Sequence, residues 1–183
     1  TLGVAVPHYR AEALRYAWRR EIDRSARQPI PQEAERSLLA EGRAVLERAT
    51  KIDPGNAQAW ADRAYAVELW THHDEPAQRP ALGREAEIYA RRAVALGPLV
   101  PEYWIRLGGA LDLQRRWVEG GDAFSKALRL APSLSETWYY QAYHFSLDPL
   151  YKLVARAAVA TSLRLDPGNR QAEALRQRLG DSR

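Results

Sequence analysis

Four prolines keep step down this chain, and a fixed period of that length constrains the architecture before any local propensity does. Pro54, Pro98, Pro132 and Pro167 are separated by 44, 34 and 35 residues. Around the first and last, Ile52-Asp53-Pro54-Gly55-Asn56-Ala57-Gln58-Ala59 recurs as Leu165-Asp166-Pro167-Gly168-Asn169-Arg170-Gln171-Ala172, and diverged versions stand at Leu96-Gly97-Pro98 and Leu130-Ala131-Pro132. Each proline closes an amphipathic stretch, such as Ala123-Phe124-Ser125-Lys126-Ala127-Leu128-Arg129-Leu130. Proline donates no backbone hydrogen bond and restricts the residue before it, so the helix stops there, while Asn56 and Asn169 are suited to cap the next one.

Behind the first three prolines a tryptophan recurs at one offset: Trp60, Trp104 and Trp138. Four residues later stands Ala64, Gly108 or Ala142, and seven later Val67, Leu111 or Phe145. Those spacings put the ring, the small residue and the apolar residue on one helical face. The small residue lets a second helix approach closely. Return helices carry a matching face of Leu46 and Ala49, Ala90 and Ala93, Phe124 and Ala127, and Val159 and Ser162.

These residues resemble the tetratricopeptide repeat family, whose pattern is Trp, two residues, Leu-Gly, two residues, Tyr, then Ala, three residues, Phe and a closing Pro. Trp104, Leu107, Gly108, Leu111, Phe124, Ala127 and Pro132 fill those slots, with Leu for Tyr and Gly120 for Ala. The units at Trp60 and Trp138 match less completely. The resemblance spans Glu33 to Leu179 and implies an all-α, right-handed superhelical stack of about four helix hairpins with a C-terminal capping helix. An ordinary bundle has no reason to repeat a turn and a Trp at this long period.

The predicted layout is one repeat domain over 1–183: a divergent N-terminal hairpin in 1–52, three repeat units in 53–167, and a capping helix with tail in 168–183. The first hairpin pairs a helix from Tyr9 to Arg27 with one from Gln32 to Ile52. The second pairs Ala57 to Trp70 with Leu82 to Leu96, the third Pro101 to Arg115 with Trp117 to Leu130, and the fourth Ser135 to Leu147 with Leu150 to Leu165. Gln171 to Leu179 closes the stack with its polar side outward. The long first period places an insertion at 71–80, Thr71 to Pro80, whose two prolines and polar residues read as a loop.

In this family the first helix of each hairpin lines a concave groove. Carried over by register, the groove positions are Gln58, Ala61, Tyr65 and Glu68; Glu102, Ile105, Gly109 and Asp112; and Glu136, Tyr139, Tyr143 and Ser146, with Tyr140 and Arg106 beside them. The Lys, Asn and Arg clamp by which some relatives hold a chain-terminal carboxylate is missing, since only Arg106 comes near one of its slots. Such an acidic, aromatic groove suits a peptide presenting Arg, Lys or apolar side chains; tyrosines that simply fill repeat cores are the alternative.

Composition narrows the chemistry. The chain has no Cys, which excludes disulfides, thiolate metal sites and cysteine nucleophiles. The formal charge of +4 comes from 27 basic and 23 acidic residues that are interleaved, so nucleic acid is not an expected partner. No apolar run reaches the roughly 20 residues of a membrane span. His72-His73-Asp74-Glu75 is the single cluster with metal-ligand chemistry and reads as a solvated loop, because adjacent residues rarely converge on one ion. His144 reads as a hydrogen-bonded structural residue, and Glu87 with Arg91 as a solvated helical pair. Without a phosphate-cradling loop, a nucleophile elbow or a zinc-hydrolase motif, we expect no catalytic residue, cofactor or metal.

The leading expectation is a module that binds a protein or peptide. Two alternatives stand beside it. Bacterial O-antigen ligases and polymerases can carry repeats of this kind outside the membrane; a chain opening at Thr1 with no Met or Cys is compatible with a piece of such a polytopic protein, and this slightly favours a periplasmic location. The other alternative is oligomerisation through exposed Trp and Tyr residues.

Overall fold

A computed structural model describes residues 2–180, and side chains from Val6 onward. Thr1 and the tail 181–183 lie outside the described residues. Among the described residues nine α-helices follow one another: α1 (Leu2–Arg27), α2 (Gln32–Ile52), α3 (Ala57–Trp70), α4 (Arg79–Leu96), α5 (Pro101–Leu113), α6 (Trp117–Leu130), α7 (Ser135–Ser146), α8 (Lys152–Leu165) and α9 (Arg170–Arg178). No strand occurs among the described residues.

The repeated turn has one backbone form in all four places. The N–H of Asn56, Val100, Leu134 and Asn169 donates to the carbonyl three residues back, on Asp53, Gly97, Ala131 and Asp166, at 3.1–3.2 Å. Proline occupies the second position of each turn, where its fixed φ is already right. In the two Asp-Pro-Gly-Asn copies the aspartate also accepts from the glycine N–H, and the asparagine caps the next helix by accepting from Ala59 or Ala172. The tryptophans repeat as faithfully. Trp60, Trp104 and Trp138 each donate the indole N–H to the carbonyl of the proline six residues earlier, at 3.0, 2.8 and 2.8 Å. The ring thus staples the first turns of its helix to the incoming loop.

Small residues set the helix separation. Ala64, Ala90, Ala93 and Ala142 are fully buried, and a Cβ added to Gly108 would lie 2.7 Å from the Phe124 ring. Each helix packs on the next in sequence. In addition α1 touches α3, α3 touches α5, α5 touches α7 and α7 touches α9, whereas among the described residues the backbones of α2, α4, α6 and α8 do not approach one another, and α2 and α4 are bridged by the Arg43 and Glu85 side chains. A stack that is tight along one set of helices and open along the other must curve, with α3, α5 and α7 on the inside. The core is accordingly a run of small clusters strung along the stack.

Two boundaries differ from the sequence expectation by more than two residues. α1 begins at Leu2 rather than Tyr9 and carries Pro7 within it; Pro7 costs that helix one hydrogen bond near its start, which a long helix tolerates. The 71–80 insertion is mostly ordered turn, with a single 3-10 turn at Pro76–Gln78, and α4 starts at Arg79 with Pro80 in its first turn. A proline there loses nothing, because first-turn N–H groups have no helical partner.

Candidate functional site

On the concave side the N-terminal half is filled by its own charges. Asp62, fully buried, accepts from Arg15 at 2.9 Å and from Arg19 at 2.8 Å, both from α1. Glu102 accepts from Arg19, Gln58 and Arg106 at 3.2–3.4 Å. Arg106 is 1% exposed. Its guanidinium lies 3.9 Å from the Tyr65 ring centre, meets the Tyr140 hydroxyl at 3.3 Å, and stands 3.5 Å from Glu68. Burial works against that charge, but Tyr140, Glu68, Tyr65 and Glu102 outweigh it and hold the group protonated. Burial likewise pushes the Glu102 carboxyl up, yet Arg106, Arg19 and Gln58 bring it below the usual carboxylate range.

The C-terminal half stays open as a cleft of about 390 Å³, within the size range of ligand pockets. Tyr65, Glu68 and Leu69 of α3, Ile105, Gly109 and Leu113 of α5, and Tyr139, Tyr140 and Tyr143 of α7 form its floor and walls. His72 and Arg79 border it from the insertion, and Gln171 and Arg178 from α9. Burial pushes the Tyr139 hydroxyl up to about 12 and raises that of Tyr140 further still, so both present neutral rings and hydroxyls.

Glu68 is the cleft's unusual group. Burial raises its carboxyl to about 7 against the opposing pull of Arg106, with Glu102 and Asp112 adding to the rise. The folded state therefore holds this proton more tightly than the unfolded chain, whose value is 4.5. Stability from the protonated form is complete below the unfolded value and is lost as pH rises through 7. Glu68→Gln should leave stability unchanged near pH 4 and raise it at pH 8 by up to about 3 kcal/mol, at 1.36 kcal/mol per pKa unit. Urea unfolding at the two pH values measures this; an equal effect at both would contradict a perturbed Glu68.

The structure divides the sequence-derived groove residues among three environments. Tyr65, Glu68, Ile105, Tyr139, Tyr140 and Tyr143 meet at the cleft, Ile105 as a 2% exposed residue that packs with Phe124 and Ala127. Gln58, Glu102 and Arg106 belong to the ionic ladder. Asp112 accepts from His144 through both carboxylate oxygens at 2.9 Å, and burial raises its carboxyl despite that partner. Glu136 is half-buried near Tyr139 and Tyr140. Of the carboxylates expected to make the groove acidic, Glu102 and Asp112 are partnered from within the fold.

Two further expectations change. The histidine cluster is not a solvated loop throughout, because the His73 imidazole is 5% exposed, lies against Trp70 and stands 3.3 Å from Glu35 of α2. Glu87, besides Arg91, accepts from Gln114 and Arg116 at 2.8 and 2.7 Å, so it ties α4 to the turn after α5 rather than marking a solvated face. Arg15, Arg19, Asp62, His72, Arg79 and Arg178 were missed. One signal was available for Asp62: it sits two residues after Trp60, the same slot that holds Arg106 and Tyr140, and all three go inward. No helix among the described residues is long and apolar enough to cross a membrane, and no group of three or more His, Asp or Glu there could hold a metal.

Hairpin on hairpin, with one turn and one Trp staple repeated through it, this is a tetratricopeptide-like helical repeat fold. Solved structures agree. The chain superposes on the structure reported in a functional characterisation of Pseudomonas aeruginosa pilF with a TM-score of 0.62 at 21% identity, over 92% of this chain and 68% of that one. It matches MamA with a TM-score of 0.58 at 14% identity, over 94% and 86% of the two chains. A Thermobaculum terrenum O-GlcNAc transferase mutant gives 0.60 at 19% identity over 85% of this chain, which spans only 26% of the transferase. At these identities the likeness is one of fold. No protein-family model and no curated protein matches the sequence.

Proposed function

We propose that this chain is a binding scaffold that holds a peptide or a segment of another protein on the C-terminal half of its concave face. The observation that carries the reading is the division of that face: an internally paired ionic ladder occupies one half, while the other leaves a tyrosine-walled cleft open between the insertion and α9. Half-buried tyrosines at such a place give large contact area at small entropic cost. An extended chain laid along α3, α5 and α7 is the ligand shape that a curved stack of hairpins accommodates. The reading as an annex of a polytopic membrane enzyme rests on the sequence resemblance alone.

The test is selection of peptides from a displayed random library on the immobilised chain, followed by Kd measurement for the enriched sequences. Tyr139→Ala with Tyr143→Ala should weaken them at least tenfold while circular dichroism stays unchanged. Undiminished binding by the double variant would move the site elsewhere, and a library without any enriched sequence would reject the peptide reading.

A further inference from the structure

The concave carboxylates are not equivalent. Both oxygens of Glu102 are taken, one by Arg19 and Arg106 and the other by Gln58. Both oxygens of Asp112 face His144. Glu68 differs: one oxygen reaches Arg106 at 3.5 Å, while Oε1 is buried without a hydrogen-bond partner among the described residues. That oxygen is next to Gly109, where an added Cβ would come within 3.1 Å of it, and both residues line the cleft. A buried acceptor left unmatched is a cost that a ligand bearing the right donor removes.

The donor's charge follows from the ladder. Among the described residues, the cations that pair with Glu12, Asp23, Asp62, Glu68 and Glu102 are Arg15, Arg19 and Arg106, so ionised Glu68 belongs to a cluster that is short of cations. Half-buried Tyr139 and Tyr143 stand around the same space and attract a cation through their ring faces. The rim has the opposite sign. Arg79 and Arg178 are exposed at its edge, with Arg178 5.6 Å from the Tyr143 ring centre and donating to Ser146. His72 stands there too, and partial desolvation, with Arg79 and His73 nearby, lowers its pKa.

Building on the reading of this cleft as a peptide groove, we infer that it is a receptor for one basic side chain, Lys or Arg, whose flanking residues are neutral or acidic. Glu68 Oε1 accepts from the ammonium or guanidinium, the tyrosines cover its stem, and Arg79 and Arg178 select the flanks. A second basic residue beside the first is disfavoured by those two arginines.

Small capped probes test this apart from any peptide partner. Chemical-shift titration of the full chain with N-acetyl-arginine amide, N-acetyl-lysine amide and the neutral N-acetyl-norleucine amide should move the cleft tyrosine signals with the two cations at least tenfold more tightly than with norleucine. Glu68→Gln and, separately, Gly109→Ala should each erase that preference. Acetylated Asp-Arg-Asp amide should bind at least fivefold tighter than Lys-Arg-Lys amide, with the gap closing in high salt. Equal binding of norleucine, or an undiminished preference in Glu68→Gln, overturns the inference. If the capped cations bind but no library peptide does, the basic-side-chain receptor stands and the peptide groove falls; selected peptides that bind without regard to Glu68 give the reverse.

Discussion

Arg106→Leu is expected to destabilise the fold by about 3–5 kcal/mol, the range for removing one member of a buried charge network. The guanidinium is buried between Tyr65 and Tyr140 and shared by Glu68 and Glu102, so its loss strands Glu68, takes one of the donors of Glu102 and removes two ring contacts. Leucine replaces some packing but supplies no donor. Part of the loss should be recovered by adding Glu68→Gln, since the second change removes one stranded charge; the two substitutions share a contact and should not add. Urea unfolding of wild type, both single variants and the double variant reads this as a cycle. Simple additivity would mean that Arg106 stabilises through packing alone.

Substitution at Gly42 should be nearly as severe, and for a reason of space. Gly42 in α2 lies directly under the Trp18 indole of α1, with no room for a Cβ, and Trp18 is 5% exposed in a cluster with Ile22, Leu39, Leu46 and Ala66. Any side chain at 42 must displace the ring. Gly42→Val should therefore approach the cost of deleting a buried aromatic, about 3–5 kcal/mol. The consequence reaches the concave face, because α1 also delivers Arg15 and Arg19 to Asp62. Limited trypsinolysis should cut α1 of the variant first, at its arginines, while α5 to α8 stay protected. Trp18→Ala placed on Gly42→Val should restore part of the stability; a variant as resistant as wild type would show that α1 does not depend on this contact.

The helical hairpins were legible because their signals are local and periodic. A proline in a turn, an asparagine cap and a Trp at a fixed offset each act within six residues, and repetition multiplies evidence that one copy would leave weak. The groove positions came from the family resemblance carried over by register, and of them Tyr65, Glu68, Tyr139 and Tyr143 stand on the inner helices and line the cleft. Most of the pairing was not legible. Arg106 is a helical neighbour of Glu102, but nothing near Glu102 or Asp112 in sequence announces Arg19 or His144 as a counter-group. The acidic groove implied by the family register thus has Glu102 and Asp112 partnered from within.

The chain by itself determined the hairpins, their turns and the inner face of each first helix, because hydrogen-bond capacity, ring size and helical spacing are properties of short segments. Tertiary structure alone decided which charges survive unpaired. It brought α1 across α3, tucked His73 of the insertion against Trp70, set α9 beside the cleft, and so left Glu68 with a free oxygen next to Gly109. Partnering of buried charges depends on distances between residues far apart in sequence, and those distances exist only once the stack has curved.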